Sequence, residues 1–226
     1  TELAAWIAAS ELAPDGPVRC DGFDSYGQPV GRPVVDPYIP MVAYTEEQSE
    51  DLAYSALKTI LELSPIARLF DIGLERIIRA DGSGKAAALA GAPDSRDGAR
   101  TTFQVVDESH RWTLDRLRRA HRTMLANLPK RLLADPWELE TTTAYVPGEN
   151  SVAEETANYA RAVGEGTIHD SRLFYFHRQA GEGYDLSVPT ELRAAIVEAA
   201  GPTAPWRDID GIADQWQDPG ADRPYL

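Results

Sequence analysis

The chain has a single cysteine and no long hydrophobic run, and each absence excludes a class of protein. Cys20 is the single cysteine, so an internal disulfide framework and a metal site built on cysteine are excluded. Nowhere does the sequence hold the roughly 18 consecutive apolar residues that a membrane span needs, and no signal peptide is visible. A globular protein of a reducing compartment, without membrane contact, is expected.

The composition is that of a folded domain, and the negative net charge limits how much of its surface can bind nucleic acid. With 226 residues, 43% hydrophobic and 26% charged, the chain is long enough for one well-packed α/β domain and a small appendage. Its formal net charge of −14 argues against a surface that binds DNA all over, although a local basic strip remains compatible with it.

Strand and helix patterns alternate along the chain. After a helix, a long loop is predicted over Ala13–Pro37 because Gly, Pro and Asp are frequent there. Strands are predicted over Tyr38–Tyr44, Leu74–Ala80, Lys85–Ala92, Phe103–Asp107, Trp137–Ala144 and Leu173–Phe176. Helices are predicted over Leu3–Leu12, Thr45–Leu63, Thr113–Asn127, Val152–Val163 and Pro189–Ala200. This order predicts a mostly parallel sheet flanked by helices, with a small β-hairpin excursion around Asp81–Gly84.

The strand at Phe103–Asp107 ends in two adjacent carboxylates, Asp107 and Glu108. In an open parallel sheet the ligand lies at the carboxyl ends of the strands. Acids there can hold Mg²⁺ and activate water, as the Walker B pair of P-loop ATPases does. The alternative is a strand that simply ends in a solvated acidic turn.

Thr1 opens the first helix and is a candidate magnesium ligand. In a phosphate loop, a Ser or Thr at the start of such a helix places its hydroxyl on Mg²⁺, directly after Gly-Lys. With no strand before this helix, the chain is expected to be truncated. The alternative is a Thr that caps an ordinary helix. A second phosphate-loop candidate, Gly82–Lys85, is rejected because Arg79 and Ala86 stand where that motif needs Gly and a hydroxyl.

Four stretches together resemble the ATPase domain of a tailed-phage large terminase, the motor that drives DNA into capsids. They are Thr1–Leu12, Tyr38–Gln48, Asp94–His110 and Glu140–Glu154. The resemblance implies a P-loop NTPase-like fold truncated at both ends, with ATP and Mg²⁺ as ligands. It also implies double-stranded DNA, a portal protein and a small terminase subunit as partners, a homo-oligomeric ring during packaging, and a location in the host cytoplasm.

The resemblance assigns the domains as well. Residues 1–205 would be the ATPase domain without its Walker A loop and first strand. Residues 206–226 would begin a linker toward a nuclease domain outside this chain, so the full-length protein would also be an endonuclease. The fragment is expected to lack nuclease activity, and whether it hydrolyses ATP by itself stays open.

The resemblance also implies roles for individual residues. Glu108 would polarise the attacking water, while Asp107 and Thr1 would hold Mg²⁺. The hydroxyls of Thr141, Thr142 and Thr143, at the end of the next strand, can hydrogen-bond the Walker B acid and the γ-phosphate. In the family this segment couples the ATP state to movement, a role that Thr142 and Thr143 would share with His110; the alternative there is plain β-structure, which Thr favours.

An arginine before the acid pair would stabilise the transferring phosphoryl group of a neighbouring subunit. Arg96 matches the family pattern best, although Asp97 separates it from Gly98. That departure leaves Arg100 as a rival, and a turn arginine paired with a nearby Asp is the third interpretation.

A basic strip runs from Arg111 to Arg131, opposed in sequence by Asp115 alone. It is either a solvated helix face, a surface for DNA phosphate, or a surface for an acidic neighbouring subunit. Two alternative functions also stay open. Asp107–His110 fits the DExH box of helicases, and the chain would otherwise be an inactive prophage remnant that keeps only the fold.

Overall fold

The computed structural model describes residues 1–43, 53–90 and 99–218. The chain divides into two compact units, Thr1–Glu155 and Thr156–Leu226. Among the helices in these ranges, none combines the length and the apolar character that crossing a bilayer requires.

The first unit is built on a six-stranded sheet with two strands of a separate hairpin before it. The hairpin strands are β1 (Arg19–Phe23) and β2 (Pro29–Arg32). The sheet strands are β3 (Tyr38–Ala43), β4 (Phe70–Ile72), β5 (Arg76–Arg79), β6 (Lys85–Ala90), β7 (Phe103–Asp107) and β8 (Trp137–Thr141). Their spatial order is β4-β5-β6-β3-β7-β8. Strands β6, β3, β7 and β8 are parallel, and β4 and β5 join antiparallel at one edge. The predicted mainly parallel α/β fold with a small hairpin is confirmed.

Helices cover both faces of this sheet in the first unit. They are α1 (Glu2–Leu12), α2 (Ser55–Glu62) and α3 (Asp115–Asn127). Successive side chains of a strand point to opposite faces. Accordingly Val105 packs in the cluster formed with α1 and α2, whereas Val106 packs in the cluster formed with α3. All five residues of β7 are buried, as is typical of a strand covered by helices on both faces, and Gln104 and Asp107 are buried polar residues among them.

Small side chains let α1 lie close to the sheet. Ala4, Ala5 and Ala8 are fully buried, so the helix axis can approach β3 and β7 without a gap. At the far end of α1, the buried Glu11 carboxylate pairs with Arg19 and accepts a hydrogen bond of 2.9 Å from Trp137 Nε1. These contacts tie α1 to the amino end of β8 and to the base of the β1–β2 hairpin.

Three sequence predictions of local structure are wrong. The loop predicted over Ala13–Pro37 contains β1 and β2, whose residues show neither alternation nor an apolar run. Strand β4 is absent from the sequence prediction, since it has only three residues. Leu173–Phe176, predicted as a strand, forms no strand in the described part of the chain. Aromatic residues favour a pleated surface only when a neighbouring strand supplies it. The start of the helix predicted over Thr45–Leu63 lies outside the described residues.

The second unit consists mainly of helices. Helix α4 (Val152–Gly164) begins in the first unit and continues into the second, where α5 (Pro189–Ala200) and α6 (Ile209–Gln217) follow. An ion pair of 2.5 Å between Arg193 Nε and Asp210 Oδ1 links α5 to α6. Helix α6 lies within residues 206–226, and the assignment of those residues to a linker stays a prediction.

Candidate functional site

The carboxylate of Asp107 is the centre of the site. It ends β7, is 2% exposed, and accepts hydrogen bonds on both oxygens. Thr1 Oγ1 donates to Oδ2 at 2.8 Å, and Thr141 Oγ1 donates to Oδ1 at 2.8 Å. The second bond follows from the β7–β8 register, in which Asp107 lies opposite Thr141. Three separate elements therefore converge on one buried carboxylate.

Thr1 makes a contact that an ordinary capping residue would not make. It is the N-cap residue of α1, yet its side chain makes no capping hydrogen bond to that helix. Its hydroxyl instead reaches Asp107, which is 106 positions away in sequence. The interpretation of Thr1 as a simple helix cap is therefore disfavoured.

The donor set fits a magnesium ion. Mg²⁺ prefers oxygen ligands and is commonly bound through one or two carboxylates, with water and substrate phosphates completing its shell. Asp107 and Thr1 supply a carboxylate and a hydroxyl that are already in contact. P-loop NTPases likewise hold the ion with one carboxylate and one hydroxyl.

Glu108 has a strained backbone. Its φ and ψ are 55° and 42°, in the left-handed region. The other non-glycine residues of positive φ in the described ranges are Asp36, Asp135 and Asn150, types that tolerate this region well. Such strain costs on the order of 1–3 kcal/mol and tends to occur at functional sites. Hydrogen bonds hold the backbone there: Glu108 N donates to Thr141 O at 2.9 Å, and its carbonyl accepts from Arg111 N at 2.9 Å.

The left-handed turn gives the two adjacent acids different environments. The side chain of Glu108 is 27% exposed, whereas Asp107 is buried. A buried carboxylate fixed by two hydroxyls suits a metal ligand, and a carboxylate open to solvent suits contact with water.

His110 joins Glu108 to the chain that follows β8. Its Nδ1 lies 3.5 Å from Glu108 Oε2, 3.0 Å from Thr142 Oγ1 and 3.4 Å from Thr143 Oγ1. Its backbone N–H also donates to Thr142 Oγ1 at 3.0 Å. Burial lowers the pKa of His110, and the positive charge of Arg111 lowers it further, against the opposing effect of Glu108 and Asp107. The lowered pKa favours the neutral form of this imidazole.

The threonines divide between two partners. Thr142 and Thr143, named from the sequence as the coupling residues, contact His110. The threonine that contacts the Asp107 carboxylate is Thr141, which belongs to the threonine run considered in the sequence but not to the pair assigned the coupling role. The register of β7 and β8 decides this, and that register cannot be read from either strand alone.

The two candidate arginines lie before β7. Arg96 lies outside the described residues. Arg100 is exposed and precedes the amino end of β7, whereas Asp107 ends the same strand. Since a strand rises by about 3.3 Å per residue, Arg100 and Asp107 of one subunit are at opposite ends of the sheet. Arg100 is therefore too far from Asp107 to contact a phosphate bound beside that carboxylate in the same chain.

The rejected phosphate loop is the turn of an antiparallel hairpin. Strand β5 ends at Arg79 and β6 begins at Lys85, and Arg79 N donates to Gly84 O at 3.1 Å between them. Gly84 has φ of +92°, and a Cβ there would stand 2.4 Å from Pro37 Cδ. Only glycine fits this position, for a structural reason.

The basic strip is partly neutralised. Arg118 pairs with Asp115 and lies 3.7 Å from Glu155, and Arg122 pairs with Glu155 at 2.9 Å. Arg131 donates to the carbonyls of Val35 and Asp36 at 2.7 and 2.6 Å. Glu155, from α4, is thus a second acid opposing a strip that the sequence showed opposed by Asp115 alone. Arg116 and Arg119 lie on the exposed face of α3.

A buried ion pair links α3 to β8. His121 Nε2 lies 2.8 Å from Glu138 Oε1, with both side chains less than a tenth exposed. Burial by itself lowers the pKa of His121, but the hydrogen bond with Glu138 and the charges of Glu138, Glu140 and Glu155 outweigh it, so the pKa is raised above 6.5. His121 therefore carries its proton to higher pH in the folded chain than in the unfolded chain.

This pair predicts a pH dependence of stability. The contribution of His121 is fully present below its unfolded pKa of about 6.5 and is lost as pH rises through the higher folded pKa. His121→Gln is expected to flatten the fall in unfolding free energy as pH rises above about 6.5, measured by urea denaturation. His169→Gln, at an exposed histidine, is the matched control and is expected to keep the fall. An unchanged pH profile in His121→Gln would contradict the pairing.

These features define an α/β protein whose mainly parallel sheet ends in a hydroxyl–carboxylate site. The solved structure of the HK97 bacteriophage large terminase has this fold, with a TM-score of 0.62 and 16% identity. The match covers 94% of this chain and 39% of that one. The predicted resemblance to a phage large terminase is thus confirmed at the level of the fold.

Two curated phage proteins are similar in sequence. The Gene 13 proteins of Mycobacterium phages L5 and D29 are each 24% identical to the chain, over 232 and 231 residues. The matches cover 93% of this chain and 38% of each relative, so the chain spans about two fifths of their length. No protein-family profile matches the chain.

Proposed function

We propose that this chain is the ATP-hydrolysing motor part of a phage large terminase, which in its full-length form drives double-stranded DNA into capsids. One observation carries the proposal. The hydroxyl of Thr1, at the start of α1, donates at 2.8 Å to the carboxylate that ends β7. A helix start and a strand end meet in this way where a P-loop NTPase holds Mg²⁺. The likeness of the fold to the HK97 large terminase supports the same proposal.

Each residue of the site has a role in this proposal. Asp107 and Thr1 hold the Mg²⁺ of MgATP, and the ion neutralises charge on the β- and γ-phosphates when it is bound. Thr141 donates to Oδ1 of Asp107, which restrains rotation of the carboxylate. Glu108 is exposed enough to reach a water molecule and orients it toward the γ-phosphate. The strained turn at Glu108 directs the two adjacent acids to these two tasks.

The coupling role belongs to the contacts between His110 and the threonines. His110 lies between the carboxylate that would orient the water and the hydroxyls of Thr142 and Thr143. A movement of Glu108 during hydrolysis would change these hydrogen bonds. It would thereby reach the segment that leads from β8 to α4. The lowered pKa of His110 favours the neutral imidazole, which can accept or donate a hydrogen bond without a change of charge.

The partners remain predictions of the same proposal. They are double-stranded DNA, a portal protein, a small terminase subunit and further copies of the chain in a ring, all in the host cytoplasm. An endonuclease activity, where present, would belong to the part of the full-length protein outside this chain.

Substitution of Thr1 tests the proposal in the full-length protein. Thr1→Val keeps the shape and removes the hydroxyl, whereas Thr1→Ser keeps the hydroxyl. Because an interaction with a charged partner contributes about 1.5–3 kcal/mol, Thr1→Val is expected to weaken Mg²⁺-dependent ATP binding by about tenfold or more. Thr1→Ser is expected to bind nearly as the natural protein does. Binding is measured by titration with ATP in the presence and absence of Mg²⁺.

Two outcomes would contradict the proposal. If the natural full-length protein binds no ATP, the chain is an inactive remnant that keeps the fold. If it binds ATP and Thr1→Val binds equally well with Mg²⁺, the metal lies elsewhere.

A further inference from the structure

Ser109, the residue directly after the strained Glu108, makes a side-chain hydrogen bond to the neighbouring strand. Its side chain is fully buried, and its Oγ donates to Glu140 Oε1 of β8 at 2.6 Å. This bond is not a helix cap, because the short helical turn Ser109–Arg111 has Glu108 as its N-cap residue and no side-chain capping bond. Hydrogen bonds from a hydroxyl to an ionised carboxylate are short and roughly twice as strong as neutral ones.

Strand β8 holds the end of β7 from both faces of the sheet. Glu140 points to the α3 face, as does Glu138 two positions earlier, which pairs with His121 of α3. Thr141, the next residue along the strand, points to the other face, where its hydroxyl donates to Asp107. The strained turn therefore lies between one side-chain hydrogen bond on each face.

The main chain of the turn is tied to the same strand and to its continuation. Glu108 N donates to Thr141 O at 2.9 Å, and His110 N donates to Thr142 Oγ1 at 3.0 Å. With the bond from Ser109 between them, three successive residues are each held. The bond from Ser109 has the charged acceptor, so it is expected to contribute the most of the three. A left-handed glutamate persists only where surrounding contacts of this kind determine it.

The direction of the Glu108 carboxylate depends on this turn. With a negative φ, the side chain would leave the main chain in a different direction from the one that the left-handed φ of 55° gives it. A reacting group that is displaced by about 1 Å can lose about 10² in rate. The contacts that fix the backbone of Glu108 are therefore expected to affect hydrolysis strongly.

We propose that Ser109 and Glu140 are positioning residues for ATP hydrolysis. Their hydrogen bond holds Glu108 in the left-handed conformation that directs its carboxylate toward the attacking water. Both residues act through Glu108, rather than on ATP or on the ion. The inference rests on the proposed motor function, because Glu108 orients water only in that reaction.

Removal of the Ser109 hydroxyl tests this role. In the full-length protein, Ser109→Ala is expected to lower kcat by about tenfold or more, because a bond to a charged acceptor is lost. KM and MgATP binding are expected to stay unchanged, since Asp107 and Thr1 are untouched. Ser187→Ala is the control. It removes another serine–carboxylate hydrogen bond of 2.6 Å, to Asp185 in the second unit, and is expected to keep the natural kcat.

Substitution of the acceptor tests the pairing and does not depend on the Ser109 variant folding. Glu140→Gln keeps an oxygen that accepts from Ser109, so it is expected to retain more of the rate than Glu140→Ala. The charge of Glu140 also contributes to the raised pKa of His121, so a double-mutant cycle is needed to isolate the hydrogen bond. Ser109→Ala added to Glu140→Ala is expected to lower kcat little further. Fully additive losses overturn the pairing.

Amide hydrogen exchange reports on the turn without ATP. In Ser109→Ala, proteolytic fragments that contain residues 108–110 are expected to exchange about tenfold or more faster by mass spectrometry, while fragments of α2 keep the natural rate. Natural exchange in these fragments, or a natural kcat in Ser109→Ala, overturns the positioning role and leaves the motor proposal intact. Equal losses of MgATP binding and kcat show a general structural defect and also overturn the role. Absence of ATP binding by the natural protein overturns the motor proposal itself.

Discussion

Glu108→Gln in the full-length protein is expected to abolish ATP turnover and to leave ATP binding intact. The amide keeps the size of the side chain and loses the charge that polarises water, and losses of ~10²–10⁴ in rate are typical for such a group. Binding should survive, because the proposed Mg²⁺ ligands, Asp107 and Thr1, are untouched. Steady-state hydrolysis and equilibrium ATP binding are measured on the same preparation.

The backbone contacts of Glu108 make the result of this experiment easier to interpret. The Glu108→Gln variant would retain the backbone hydrogen bonds that hold the strained turn, so a loss of rate reports on the carboxylate rather than on the turn. Glu149→Gln is the matched control, an exposed carboxylate on the segment between β8 and α4, and is expected to hydrolyse ATP at the natural rate. Near-normal turnover in Glu108→Gln would remove Glu108 from the mechanism.

Loss of the trans-acting arginine is expected to have an effect at least as large. An arginine that stabilises the transferring phosphoryl group contributes about 10³–10⁵ in rate. Arg96→Ala is therefore expected to reduce turnover in the assembled full-length protein by about that factor. Arg100→Ala is the comparison variant. Arg100 is exposed before the amino end of β7, at the opposite end of that strand from Asp107.

Mixed assemblies decide whether the arginine acts between subunits. Arg96→Ala subunits mixed with Glu108→Gln subunits form some interfaces in which an intact arginine faces an intact glutamate. Partial recovery of hydrolysis in the mixture is the expected result, although each variant alone is inactive. Strictly no recovery in well-mixed assemblies would show that Arg96 acts within its own subunit. Recovery only with Arg100→Ala subunits would identify Arg100 as the residue that acts in trans.

The proposed chemistry depends on how two neighbouring acids come to differ. Adjacent residues of a strand point to opposite faces of the sheet. Alternation alone does not give Asp107 and Glu108 different roles, because a strand that ends in an ordinary turn can leave both acids in solvent. The left-handed conformation of Glu108 turns the backbone directly after β7. The hydroxyls of Thr1 and Thr141 hold the Asp107 carboxylate by hydrogen bonds. The exposed acid then faces solvent and the buried one faces the start of α1.

The sequence by itself determined the elements whose signals are local. Strand β7, which ends in Asp107, is found where the sequence predicts it. So is helix α5, whose end the sequence marks with Gly201 and Pro202. The hairpin around Asp81–Gly84 is also found, because turn residues between two β-prone runs specify it. The mainly parallel fold followed from the alternation of strands and helices, and the comparison with the HK97 large terminase confirms it.

Only the tertiary structure decided which side chains meet. The contact of Thr1 with Asp107 joins positions 106 apart, and the register of β7 with β8 places Thr141, rather than Thr142, on the carboxylate. The β1–β2 hairpin had no signal in the sequence, since its residues are exposed on both faces and follow no hydrophobic alternation. Leu173–Phe176 has the composition of a strand and no strand forms there in the described chain. Apart from the β1–β2 hairpin, whose strands are near each other in sequence, these outcomes depend on a distant partner, about which local propensity carries no information.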